Sequence, residues 1–208
     1  MAMSRTISVN MESSLRRELC LASDTIVCHQ SCNRPELIYN IEPPVTSNDH
    51  LGKRVLDIVG KHDLGPTERG LVFVMTVGVG IQLASHLIYK FYWSMKTKVS
   101  GADSADTNTK QANLWRETVE NWRRGIHKIM VTTTAFATDN NFPNVWLVIL
   151  ATTPFDMCSE IQRIGRAGRD ENAAWCYILP NRMLLPLGQD HDDFHGHKLI
   201  SKMIWEPS

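Results

Sequence analysis

The run Gln162-Arg163-Ile164-Gly165-Arg166-Ala167-Gly168-Arg169-Asp170 is the densest concentration of chemically useful side chains in the sequence. It places two permanently charged guanidinium groups, Arg166 and Arg169, three residues apart on a helix end loosened by Gly165 and Gly168. Guanidinium forks are suited to spreading the charge of a phosphoryl group in transfer, and glycines let backbone approach a ligand closely. An isolated Arg-x-x-Arg also has a plain use, as a helix terminus making surface ion pairs. Context decides between the two.

Elements must place those arginines. Thr153-Pro154-Phe155-Asp156 offers an N-cap hydroxyl, a proline at the first helical position and an early acid, so a helix is expected from there toward Gly165. Val145–Leu150 is a continuous apolar run, as in a strand buried on both faces, and Leu71–Met75, Lys128–Thr134 and Ala173–Leu179 are further strands. Between them, helices are expected over about Gly80–Trp93 and Gln111–Arg124, the second with Trp115, Val119 and Trp122 at helical spacing and Gly125 to close it. Strands alternating with helices argue for an α/β fold with a mainly parallel sheet covered on both faces. Ligands of such sheets bind at the carboxyl ends of strands, which directs attention to the loops after Thr134 and Leu150.

Composition narrows the class. With 208 residues, 43% hydrophobic and 21% charged, the chain can build one domain with extensions. Its formal net charge of zero excludes a domain-wide basic surface, so nucleic-acid contact must be local. Five cysteines without framework spacing, and an N-terminus without an apolar signal core, favour a reducing intracellular compartment. The uncharged stretch from Gly70 to Tyr89 is long enough for a bilayer, yet its glycines, Gln82, Ser85 and His86 suit a strand, loop and helix better, so no membrane is expected. Residues 42–52 and 100–110 read as a connector and a polar loop.

With its neighbours, the arginine segment acquires a likeness. Gln162–Asp170 resembles the last motif of superfamily 2 helicases, and the ending Ala167-Gly168-Arg169-Asp170 is the form of the RecQ DNA helicases. Asn33-Arg34-Pro35-Glu36-Leu37-Ile38-Tyr39 resembles the strand by which RecQ proteins leave their first lobe, preceded by a helix-like Leu15–Leu21. Gly70–Leu87 is similar to the first strand and helix of the second lobe, and Ile129–Val148 to motif V and its Pro-Asn-Val exit. The likeness covers roughly residues 12–180.

It implies a RecA-like three-layer sandwich, a single lobe of a two-lobe core. The division would be a terminus and remnant of lobe 1 (1–41), a connector and start of lobe 2 (42–69), the C-terminal RecA-like domain (70–182) and a polar tail (183–208). By resemblance the intact enzyme is an ATP-dependent 3′–5′ DNA helicase using ATP and magnesium. Arg169 would be the arginine finger with Arg166 supporting it, and Gln162, Gly165, Arg166, Arg169 and Asn141 would line the nucleotide site. Thr133 and Thr76 would contact the DNA backbone. The partners implied are DNA and a lobe 1 polypeptide or N-terminal segment, in the nucleus if the source is eukaryotic and otherwise in the cytoplasm.

Departures shape the expectation. Ala137 and Asp139 stand where motif V has glycines, and Val77 replaces an arginine. No Gly-x-x-x-x-Gly-Lys-Ser/Thr loop and no Asp-Glu-x-His box occurs in the 208 residues, so this polypeptide alone is expected to be inactive. Cys28-His29-x-x-Cys32 lacks the second ligand pair of a zinc site, and His191 to His197 read as a solvated tail, so no metal site is assigned. Two alternatives stand beside the RecQ reading: an inactive DNA- or protein-binding module derived from a helicase, and a DEAD-box RNA helicase lobe, which fits Asn33-Arg34-Pro35 and the Arg169-Asp170 ending less well.

Overall fold

The structure, a computed structural model, describes residues 12–22, 24–26, 34–87, 90–92, 105–133, 136, 142–151 and 157–180. The chain divides into two compact units, Met1–Pro35 and Glu36–Ser208. In the first, helix α1 (Glu12–Glu18) ends where Leu21 N–H donates to the Arg16 carbonyl at 2.9 Å and Cys20 takes φ 49°. Its Arg16 guanidinium also donates to the Thr25 carbonyl at 3.2 Å.

The second unit is a parallel α/β layer structure. Among the described residues six strands, β1 (Leu37–Ile41), β2 (Arg69–Val74), β3 (Lys90–Tyr92), β4 (Ile129–Thr133), β5 (Val145–Leu150) and β6 (Ala174–Ile178), form one sheet in the order β1-β6-β5-β2-β4-β3. Every pairing is parallel. All six residues of β2 are buried, as a central strand covered on both faces requires.

Alternation along the strands divides the core in two. Val72, Val74, Val131, Leu147 and Ile149 pack beneath α2 (Asn48–Lys61) and α3 (Val77–Leu87). Leu71, Phe73, Met130, Val148 and Leu150 pack with Trp122 of α4 (Ala105–Arg124) and Ile164 of α5 (Met157–Ile164). The sandwich therefore has three layers.

Most expected elements form within a few residues, and the exceptions have identifiable causes. Where residues 42–52 suggest a connector, α2 starts: the Ser47 hydroxyl accepts from His50 N–H at 3.1 Å, and Leu51, Val55 and Ile58 bury one stripe. That 4,3 spacing was the available signal. The helix expected to reach Trp93 stops at Leu87, and Lys90–Tyr92 pairs with β4 as an edge strand. Similarly, α4 begins at Ala105, inside a stretch whose composition suggests a loop. Leu37–Ile41, grouped by its motif with a first-lobe remnant, hydrogen-bonds to β6 in this sheet.

At the end of α4, Gly125 takes φ +83°, its N–H reaches the Trp122 carbonyl at 3.1 Å, and Ile126 N–H reaches Asn121 at 2.9 Å. This paired closure satisfies two terminal carbonyls and bears out the glycine stop. Among the described residues no helix is long and apolar enough to cross a membrane, and the uncharged stretch from Gly70 is β2 followed by α3.

Candidate nucleotide and nucleic-acid surface

The arginine segment occupies the last turn of α5 and the loop that follows. Gln162 is exposed on α5, whereas Arg166 and Arg169 are half-buried. The helix unwinds through Gly165 N–H to Ile161 O at 2.8 Å, Arg166 N–H to Arg163 O at 3.1 Å and Ala167 N–H to Ile164 O at 2.9 Å. A side chain on Gly165 would place its first carbon 2.8 Å from the Ile161 carbonyl oxygen, so glycine is required there by close approach. Gly168 takes φ +57°, and its N–H donates to the Val145 carbonyl at 2.9 Å. Arg169 Nε then donates to the Gly165 carbonyl at 3.2 Å. Gln162 thus stands in the last turn of α5, while Gly165, Arg166 and Arg169 lie in the loop that follows, where Arg169 bonds back to Gly165.

Arg163, in the middle of the motif, behaves differently. It is buried and pairs with Glu160 one turn earlier at 2.6 Å, with side chains 9% and 3% exposed. The ion-pair use of an arginine in this motif is real, and Arg163 is one residue that takes it.

The position of the turn corrects one expectation. A strand-end rule places the chemistry at the carboxyl ends of β4 and β5. The arginine turn instead lies at the amino end of β5, because α5 runs back across the sheet and Gly168 bonds Val145, the first residue of that strand. Thr133 and Thr76 lie at the opposite edge. Thr133 ends β4 in register with Val74, and Thr76 follows two residues later on the neighbouring strand's exit. Six residues of extended β5 separate the edges by about 17 Å.

The two threonines differ in what they can offer. Thr76 is exposed, and its hydroxyl oxygen accepts from Val79 N–H at 3.3 Å, so it caps α3 while keeping its own hydrogen for donation. Thr133 is only 9% exposed. Asn141, Ala137 and Asp139 lie outside the described residues, as do Cys28, Cys32 and the histidines after residue 190.

What joins the edges is residues 134–144, which leave β4 at the threonine end and enter β5 at the arginine end. Phe136 and Phe142 anchor this connection: they stack at 5.6 Å, and each meets Trp122 edge-on, at 5.9 and 4.7 Å. Arg123 lies over the Phe142 ring at 4.6 Å.

Two residues of the site escape motif reading. Trp146 donates its indole N–H to Asp170 Oδ2 at 3.1 Å, and Asn172 Nδ2 donates to the same oxygen at 2.9 Å. Burial alone would raise the Asp170 pKa, but these side-chain hydrogen bonds outweigh it and hold the carboxylate below its ordinary range. Nothing in a one-dimensional pattern pairs a strand tryptophan with an aspartate 24 positions on.

A parallel sheet with helices on both faces, carrying an arginine turn at one edge and hydroxyl-bearing strand exits at the other, defines a RecA-like helicase lobe. Residues 53–171 match the family described as helicase conserved C-terminal domain, and the chain belongs to it. Similar proteins include the pre-mRNA-processing ATP-dependent RNA helicase prp5 of Neosartorya fischeri, 27% identical over 169 residues that cover 80% of this chain and 13% of that one. ATP-dependent RNA helicase DBP10 of Lodderomyces elongisporus is 34% identical over 85 residues, covering 41% of this chain and 9% of the relative. The chain thus spans a small part of the curated relatives' length.

Among solved structures, Saccharomyces cerevisiae Dbp5 bound to RNA and ADP BeF3 shares the fold with a TM-score of 0.66 at 15% identity, over 99% of this chain and 49% of that one. Escherichia coli DEAD-box protein SrmB, bound to regulator of ribonuclease activity A, aligns with a TM-score of 0.54 at 18% identity, over 69% and 78% of the two chains. The helicase lobe is the shared finding. The curated relatives prp5 and DBP10 carry RNA helicase names, so the narrower RecQ expectation gains no support from them.

Proposed function

We propose that this chain is the second lobe of an ATP-dependent helicase and that Arg169, supported by Arg166, reaches the γ-phosphate of ATP held by a first lobe. The observation that carries the reading is the turn Gly165–Asp170, in which a guanidinium is tethered to a helix-end carbonyl by its Nε and both glycines are enforced by close contacts. Bound ATP supplies the phosphoanhydride whose cleavage drives the motor. The lobe's share is charge stabilisation by Arg169 and Arg166, with Gln162 facing the nucleotide from the last turn of α5.

Arginine forks fit the phosphate end of the nucleotide. Magnesium does not fit here: among the described residues no three acidic, histidine or cysteine side chains converge on a metal position. With no phosphate loop in the 208 residues, phosphates and metal fall to the first lobe. The nucleic acid lies at the other edge, near Thr76 and Thr133, and residues 134–144 link it to the arginines. An intracellular setting, nuclear in a eukaryote, belongs to the same proposal.

We take the nucleic acid to be DNA, unwound 3′ to 5′, on the likeness of Asn33-Arg34-Pro35 and Ala167-Gly168-Arg169-Asp170 to RecQ proteins. A second reading, RNA, is favoured by the names of the similar proteins. One assay addresses both. The chain joined to a phosphate-loop lobe is given ATP with single-stranded DNA or RNA, beside its Arg169→Ala variant. Loss of stimulated hydrolysis in the variant, on the order of a thousandfold, is expected. Undiminished hydrolysis overturns the finger assignment, and stimulation by RNA but not DNA replaces the first substrate reading with the second. The chain by itself should hydrolyse no ATP above the variant.

A further inference from the structure

Among the described residues, the sheet has a register irregularity beside the arginine turn. Arg69 of β2 pairs with Val145, but Gly70 pairs with Leu147, so Trp146 is the extra residue of a bulge. A bulge turns its side chain out of the strand's alternation. Trp146 uses that freedom to donate to Asp170 at 3.1 Å. Its predecessor Val145 accepts from Gly168 at 2.9 Å. Successive residues of β5 therefore hold Gly168 and Asp170, the two neighbours of Arg169. On the far side Asn172 closes the Asp170 carboxylate through its side chain at 2.9 Å and its backbone at 3.4 Å.

We propose that Trp146 and Asp170 are positioning residues for Arg169: the bulge fixes the backbone on both sides of the arginine, so that its guanidinium is presented in one place. The inference rests on the arginine-finger reading above. Trp146 packs against the core layer beneath α2 and α3 while its indole N–H reaches Asp170, so a half-buried ring anchors the donor that holds the turn. The neutral indole N–H orients the carboxylate without competing for a phosphate, unlike a lysine at the same position.

The test uses the chain joined to a phosphate-loop lobe. Trp146→Phe keeps the ring and loses the N–H. Its kcat is expected to fall between about ten- and a hundredfold, the scale of small misplacements of a catalytic group, with KM for ATP and melting temperature near wild type. Trp146→His, which retains a ring donor, should recover part of the rate. In the full chain alone, the Arg169 Nε–H resonance should shift in Trp146→Phe. Should that variant fold poorly, Asp170→Asn asks the same question from the loop side.

Wild-type kcat in both Trp146→Phe and Asp170→Asn, with Arg169→Ala inactive, overturns the positioning role and leaves the finger assignment standing. Wild-type hydrolysis in Arg169→Ala removes the finger assignment and this inference with it.

Discussion

Arg69 Nε donates to the main-chain oxygen of Trp122 at 2.5 Å, while the Trp122 indole N–H donates to the carbonyl of Gly70, the next residue along, at 3.1 Å. The pair closes the C-terminus of α4 onto the first residues of β2. The remaining Arg69 donors reach Pro66 at 2.7 Å, Glu68 at 2.8 Å and Arg123 at 3.0 Å, all through carbonyl oxygens. A buried cation here serves the negative end of a helix, and burial lowers its pKa from the ordinary arginine value. Because Trp122 also carries Phe136 and Phe142, the arrangement supports the segment joining the two edges of the site.

Arg69→Met should therefore strip several carbonyls of their donor at once. The expected loss of stability is on the order of 2–4 kcal/mol, the scale of a broken buried hydrogen-bond network with a charged member. Urea titration of the full chain checks it, and a midpoint equal to wild type would remove Arg69 from the fold's supports.

Gly125→Ala tests the same corner from the helix side. The residue sits at φ +83°, and an added carbon would lie 2.9 Å from Arg69 Cζ and 3.0 Å from the Pro66 oxygen. Left-handed strain and displacement of Arg69 together should cost about 1–3 kcal/mol. A thermal melt of the variant beside Gly60→Ala, a position where the new carbon meets nothing within 4 Å, separates this from a general glycine effect.

His62 makes stability depend on pH. Its ring shares a hydrogen bond of 2.9 Å with the Tyr177 hydroxyl and lies 5.0 Å from the Trp175 ring. Desolvation first, and Lys61 second, lower its pKa below the ordinary 6.5, so the folded state favours the neutral ring. The contribution is fully present above 6.5 and is lost as pH falls through that value toward the folded pKa. Between about pH 7 and about pH 5, wild type should lose more stability than His62→Gln. Parallel curves for the two would show that His62 titrates as it does in the unfolded chain.

Much of this was legible in one dimension. Val145–Leu150 forms the strand its apolar run announces, and Gly125 ends α4 where it stands. Gln162–Asp170 carries enough side-chain identity to indicate a helicase lobe, because that turn needs particular residues at particular steps. The start of α2 was also readable, from Ser47 and the stripe Leu51, Val55, Ile58, although the prolines before it pull toward a connector. Such features depend on neighbours within a few residues, which is the range over which periodicity, caps and turn chemistry act.

The tertiary structure decided the rest. Lys90–Tyr92 becomes a strand only because β4 offers it a parallel edge, and Leu37–Ile41 joins the sheet only because β6 lies beside it. The arginines stand at the amino edge, away from Thr76 and Thr133, because α5 doubles back along β5 until Gly168 meets Val145. Arg163 takes the buried ion pair and Asp170 takes Trp146 through a bulge, choices set by which groups lie within 3 Å or so of one another after packing. Sequence spacing names the groups, but the distances that give them separate tasks arise from strand register and the direction of the crossover helices.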